Sequence, residues 1–252
     1  MPTLYVGHGT PMNALADNKW TRGFAALGNS LPRPKAILSI SGHFYTPGIF
    51  LTGNDRPPTI HDFGGFPKEL FEVEYPCPGE PKLAERIVNL FDGAAQLTDK
   101  WGLDHGTWTV LRFMYPEADI PTVQMSMDYR LEADTHVAIG HMLAPLRDEG
   151  ILILGTGNIT HNLRMGFMGQ AEGVVPDWAA DFDATVVKAV EERDFPTLIE
   201  AAETEAGQIA HPSPDHFFPL LYVAGAANEN DKVSYPIEGF ERSFSMRAIQ
   251  FG

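Results

Sequence analysis

A single cysteine, Cys77, occurs in the 252 residues, so no disulfide can close within the chain. That usage fits a reducing cytoplasm. Cys77 stands in Tyr75-Pro76-Cys77-Pro78-Gly79, a rigid turn without a basic or histidine neighbour to make a thiolate. A packing or surface role is expected there rather than a nucleophilic one. Positive charge is also scarce. Lys and Arg total 18 against 33 Asp and Glu, and the net charge of −15 opposes binding to nucleic-acid phosphates or anionic membranes. No apolar run approaches the roughly 18 residues of a membrane span. The opening MPTLYVGHGTPMN lacks a basic segment followed by an apolar one, so a secretory leader is not expected. Internal repeats and low-complexity tracts are missing. So are HExxH and CxxC patterns, which leaves zinc-protease and zinc-finger readings without support. The expectation is a cytoplasmic monomer or small homo-oligomer that binds neither nucleic acid nor membrane.

What is present is ordinary globular material, 44% hydrophobic and 20% charged. No shift in composition divides it, so one domain is expected over residues 1–252. Strand-like apolar runs fall at 4–6, 36–41, 49–52, 120–125 and 151–154. The tail, 243–251, alternates over its first half and suits an antiparallel or edge strand. Helical periodicity occupies 81–91, 107–115, 132–147, 178–192 and 215–226. Strands alternating with helices predict an α/β fold with helices on both faces of the sheet. The glycine-rich stretch 165–175 reads as a mobile loop or lid.

The nine histidines carry the chemistry. His8 follows the first strand within Gly7-His8-Gly9, where flanking glycines let the backbone turn and leave the imidazole uncovered. His43 repeats the arrangement after Ser41-Gly42, and His161 follows Gly155-Thr156-Gly157-Asn158 at the end of another strand. Carboxyl ends of strands in an open α/β sheet are where ligands bind. His216 arrives from a helix start, since Ser213-Pro214 reads as an N-cap followed by proline at the first helical position. His105 follows Asp104 at the start of another helix, where Asp104 either orients the imidazole or caps the helix. His136 and His141 lie within a polar helix and His211 precedes Pro212, so packing or turn roles suit them better. One buried histidine is more often a core residue than a ligand, and spacing alone does not bring these together.

Six motifs in order make the pattern specific: GHGTPMN (7–13), SGHF (41–44), PPTIHDFGGFP (57–67), LDHGTW (103–108), GNITHNLR (157–164) and PDHFFPLLYVAGA (214–226). Together they resemble the DOPA 4,5-extradiol dioxygenase family, a branch of the class III ring-cleaving enzymes related to protocatechuate 4,5-dioxygenase. The resemblance spans nearly the whole chain. Thr10 stands where Ser is usual and Gly42 where Ala is common; neither is a candidate ligand.

The resemblance implies a three-layer α/β/α sandwich with a mixed central sheet. It also implies one divalent non-haem metal held by His8, His43 and His216, with His161 beside them as a fourth zinc ligand in bacterial relatives. Fe(II) is expected for catalysis, because Zn(II) has no accessible redox chemistry, and Zn(II) is allowed as an occupant. The implied substrates are a catechol such as DOPA and O2. His161 is the implied general base, His105 a hydrogen-bond donor to substrate or oxygen, and Asp104 its orienting partner. Two other readings use the same residues: a zinc-dependent hydrolase, and a binding protein on this fold without catalysis. Arg22, Lys100, Arg164 and Arg247 are the cations considered for a substrate carboxylate.

Overall fold

Successive residues of a strand point to opposite faces of a sheet, and in this chain both sets are apolar, so the sheet must be covered on both sides. The computed structural model describes residues 1–167 and 173–252. Its strands are β1 (Thr3–Gly7), β2 (Ala36–Thr46), β3 (Ile49–Thr52), β4 (Ala95–Thr98), β5 (Thr122–Asp128), β6 (Ile151–Gly157), β7 (Val233–Ile237), β8 (Phe240–Glu241), β9 (Phe244–Ser245) and β10 (Ala248–Phe251). The helices are α1 (Lys19–Ser30), α2 (Lys68–Phe71), α3 (Pro81–Leu90), α4 (His105–Met114), α5 (Ala133–Leu143), α6 (Leu163–Phe167), α7 (Asp177–Glu192), α8 (Phe195–Glu200), α9 (Glu205–Ala210) and α10 (Phe218–Gly225). None of these is long and apolar enough to cross a membrane.

Eight strands form one sheet in the order β4-β3-β5-β2-β6-β1-β10-β7, with β8 and β9 paired separately. The central strands β5, β2, β6 and β1 are mutually parallel. Antiparallel pairings of β3 with β5, β10 with β1 and β7 with β10 make the sheet mixed, as expected. Alternation divides the core into two layers. Leu4, Val6, Ile37, Leu152 and Leu154 pack with Phe24 and Leu27 of α1 and with Trp108 and Leu111 of α4. Tyr5, Leu38, Ile40 and Ile153 point the other way, to Val137 of α5, Val186 of α7 and Leu220 and Val223 of α10. Each of these large apolar side chains contributes roughly 1.5–3 kcal/mol by leaving water. Cys77 belongs to the first layer, and burial pushes its thiol up to about 11, away from nucleophilic use.

Several expectations shift. The 132–147 helix ends as α5 at Leu143 and continues as a 3-10 turn, Ala144–Glu149, because Pro145 has no N–H for the α ladder. The 215–226 helix is likewise split into a 3-10 turn, Pro214–His216, and α10, which has Pro219 in its first turn. Residues 243–251 form β9 and β10 rather than one strand, and β10 lies inside the sheet with β7 outside it. Residues 168–172 of the expected lid fall outside the described residues.

Two backbone features aim side chains at the carboxyl end of the sheet. Ile40 of β2 pairs with Met125 and Tyr45 with Met127, so Ser41, Gly42, His43 and Phe44 bulge opposite Ser126 alone. Such bulges re-aim side chains next to functional sites. At the end of β6, a Cβ on Gly157 would meet the carbonyl oxygen of His216 at 2.0 Å, so only glycine lets that turn settle onto the strand. Gly157→Ala is therefore expected to cost about 1–3 kcal/mol of stability, the usual range for overpacking. Urea unfolding measures it, and an unchanged midpoint would contradict the close packing.

Candidate active site

β2, β6 and β1 are neighbours in the sheet, so the residues at their carboxyl ends meet at one rim. His8 extends from β1, His43 lies in the β2 bulge and His161 follows β6. His216 reaches them from the turn before α10. Its carbonyl accepts hydrogen bonds from the Tyr5 hydroxyl at 2.9 Å and the Asn158 N–H at 3.1 Å. The strands are thus bolted to the turn that carries the fourth imidazole.

One ligand nitrogen each from His8, His43 and His216 lies within 4.8 Å of the others. In all three rings Nδ1 is engaged elsewhere. His8 Nδ1 donates to the Gly9 carbonyl at 2.8 Å, His43 Nδ1 faces Asp62 Oδ2 at 3.1 Å, and His216 Nδ1 faces Asp215 Oδ2 at 2.7 Å. A proton on each Nδ1 leaves every Nε2 with a lone pair. His8 Nε2 is buried with no partner among the described residues, and His43 Nε2 faces His216 Nε2 at 3.2 Å. Two nitrogens each ~2.1 Å from one ion, subtending about 100°, stand roughly 3.2 Å apart. The donor set fits a divalent cation. Burial, followed by the other histidines, lowers the pKa of His8 and of His43 well below the ordinary imidazole value, keeping both neutral. Asp215 is held at about 2: burial raises it, but the His216 hydrogen bond and the nearby imidazoles outweigh that.

His161 stands apart from this trio. Its ring lies flat on His216, with centroids 3.5 Å apart and planes at 4°. The two rings stack rather than point to a shared centre. Desolvation and then His216 lower its pKa, so it is a neutral proton acceptor at ordinary pH. His105 opens α4, its ring centroid 3.9 Å from that of His43.

Of the two roles open to Asp104 the structure shows the helix cap, and the orienting role that the resemblance implied falls to Asp62. Asp104 turns inward: its side chain caps α4 by accepting from the Thr107 N–H at 3.3 Å and accepts from Ser41 Oγ at 2.7 Å and from the Gln124 amide. Burial, then the charge of Asp62, raises its carboxyl to about 6. His105 Nδ1 instead lies 3.0 Å from both oxygens of Asp62. Asp62 lies within the motif 57–67, in a loop distant in sequence from His105, so spacing carries no signal of the pairing. His136 and His211 are packed elsewhere, His136 against the Tyr222 hydroxyl at 2.8 Å and His211 against the Ile159 carbonyl, and His141 is exposed on α5.

The imidazoles of His8, His43, His105 and His161 line one side of a cavity of about 350 Å³. His8, His43, His105, His161 and Asp62 supply its polar groups, while Phe63, Phe66, Leu163 and Phe244 supply apolar walls. A flat aromatic ring with adjacent polar substituents suits such a lining.

Comparison with known proteins agrees with this geometry. Residues 1–248 match the family described as the catalytic LigB subunit of aromatic ring-opening dioxygenase. A 4,5-DOPA dioxygenase extradiol of Escherichia coli is 45% identical over all of this chain and 95% of its own length. One of Beta vulgaris is 41% identical over 91% of this chain and 88% of its own. A crystal structure of an uncharacterized Escherichia coli K12 protein superposes with a TM-score of 0.87 at 39% identity, covering both chains completely. The hydrolase and binding-protein readings give way to these matches. The chain belongs to the LigB family of aromatic ring-opening dioxygenases, non-haem metal enzymes that act on a small aromatic substrate and O2, and is an extradiol ring-cleaving enzyme.

Proposed function

We propose that this chain, as a single catalytic domain over 1–252, opens catechols such as DOPA at one Fe(II) held by His8, His43 and His216. Within that reading His161 is the general base, and His105 makes a hydrogen bond to the substrate. The observation that carries it is the convergence of three imidazole nitrogens, each with its opposite nitrogen engaged, two of the rings lining an aromatic cavity. Bound Fe(II) supplies the redox chemistry by which an electron-rich catechol reacts with dioxygen; Zn(II) fits the same donors without that capacity.

The protein's own contributions follow from the side chains. Phe63, Phe66 and Phe244 hold the ring and exclude water, which strengthens every polar contact in the cavity. A catechol hydroxyl gives its proton to a ring nitrogen of His161, and the same proton returns to the opened product. Asp215 stays anionic nearby and offsets the charge on His161 while the proton resides there. The flat stacking of His161 on His216 favours the base over a fourth ligand, and leaves that side of the cavity open to substrate.

A substrate carboxylate needs a cation. Arg22 pairs with Asp17, and Arg247 with Asp183 and Glu238. Lys100 is exposed after β4. Arg164 is exposed on α6 beside Leu163, which lines the cavity, and is the cation we propose for this role.

Replacing His8, His43 or His216 by Ala is expected to strip the metal, whereas His161→Gln keeps metal and catechol affinity but loses about 10²–10⁴ in turnover. Elemental analysis with oxygen uptake on Fe(II)-loaded protein reads both. Full metal retention in the three Ala variants would remove the ligand set, and metal loss in His161→Gln would make it a ligand. Arg164→Ala should raise KM for DOPA several-fold, roughly the worth of one exposed charge pair, and leave KM for 4-methylcatechol unchanged. Equal KM changes for both substrates would exclude Arg164 as the carboxylate partner.

A further inference from the structure

Asp62 lies in the loop 57–67, which is pinned at the two residues preceding Asp62. Ile60 N–H donates to the Leu103 carbonyl at 2.7 Å, the Trp108 indole donates to the Ile60 carbonyl at 2.9 Å, and His61 Nε2 meets the Val73 carbonyl at 3.0 Å. The carboxylate thus held has a side chain only 12% exposed, and it sits between two imidazoles. Oδ2 is 3.1 Å from His43 Nδ1 and 3.0 Å from His105 Nδ1, and Oδ1 accepts the His105 backbone N–H at 2.9 Å. An ionised carboxylate has enough lone pairs for all of these. Burial raises the Asp62 pKa, but its hydrogen bonds with the side chain and backbone of His105 bring it below the ordinary value.

We propose that Asp62 is a positioning residue shared by both halves of the site: one carboxylate fixes the tautomer and ring orientation of His43 and of His105 together. The inference rests on the ligand set proposed above, because His43 offers Nε2 to a metal only while Nδ1 keeps its proton. His105 is constrained in the same way, with Nε2 the one nitrogen it can turn to the cavity. Metal affinity and the aim of His105 therefore depend on one side chain outside the proposed ligand set.

Asparagine at position 62 has the same shape but one acceptor oxygen. With that oxygen at the Oδ2 position the amide NH2 opposes the His105 backbone N–H, and with it at the Oδ1 position the NH2 opposes both Nδ1–H groups. Asp62→Asn should therefore disturb both rings and weaken Zn(II) binding about 10–100-fold, as loss of an orienting carboxylate does. Asp62→Glu, which keeps the charge, should recover part of that loss. The test titrates Zn(II) against a chelator in wild type, Asp62→Asn, Asp62→Glu and His43→Ala. It also records the histidine Nδ1–H signals of His43 and His105 in the Zn(II)-loaded proteins by ¹H–¹⁵N NMR. The expected result is two hydrogen-bonded Nδ1–H signals in wild type, both shifted or lost in Asp62→Asn along with the affinity. If Asp62→Asn binds Zn(II) like wild type while His43→Ala does not, or if only one signal responds, the shared role is overturned and the ligand set stands. If His43→Ala retains wild-type affinity, the ligand set falls and the shared role with it. Should Asp62→Asn fail to fold, absence of either Nδ1–H signal in wild type overturns the proposal by itself.

Discussion

Neutral imidazoles can share a small buried volume; imidazolium ions cannot. His8, His105 and His216 are each at most 5% exposed, and His43 and His161 adjoin them. Burial, and then the neighbouring imidazoles, disfavour the charged forms of His8, His43 and His161, so their neutrality is the condition on which the site is assembled. Neutral rings in turn must dispose of two nitrogens each. The structure engages Nδ1 of His8, His43 and His216 with a carbonyl or carboxylate and points Nε2 inward, where the orphaned lone pairs have no good partner but a cation. An arrangement like this is costly when empty and stabilised when filled, so metal binding is coupled to the stability of the rim itself.

The sheet serves that constraint. Three adjacent parallel strands deliver His8, His43 and His161 to one edge, and the turn before α10 adds His216 from above. Each approach depends on a small residue. A Cβ at Gly157 would strike the His216 carbonyl, and one at Gly42 would come within 3.1 Å of the His216 Cα. The two core layers, built by alternation along β1, β2 and β6, hold these strand ends in register, so precision at the rim comes from packing far below it.

Much of this could be read in the sequence because it follows local rules. Gly7-His8-Gly9, Ser41-Gly42-His43 and the Ser213-Pro214 start before His216 each declare a chain reversal with an imidazole upon it, and apolar runs between them mark the central strands. What escaped depended on distant partners. β4 and β7 are short edge or near-edge strands with exposed residues, so their apolar signal is weak. Asp104 adjoins His105 in sequence yet turns to Ser41 and Gln124, while Asp62, from a loop more than 40 residues earlier, takes the imidazole. Adjacency is a poor guide where a helix cap competes for the same carboxylate. The stacking of His161 on His216 is equally beyond spacing, since a ligand and a stacked ring can occupy the same strand end.

Among the described residues two groups of side chains could hold an ion, and they share His43 through opposite ring nitrogens: His8, His43 and His216 on one side, and His43, Asp62 and His105 on the other. The account requires the first. Anomalous diffraction from crystals grown with Fe(II) under anaerobic conditions locates the ion directly. The predicted peak lies within bonding distance of Nε2 of His8, His43 and His216, with His161 stacked and unbonded. A peak between Asp62 and the Nδ1 atoms of His43 and His105 would contradict it.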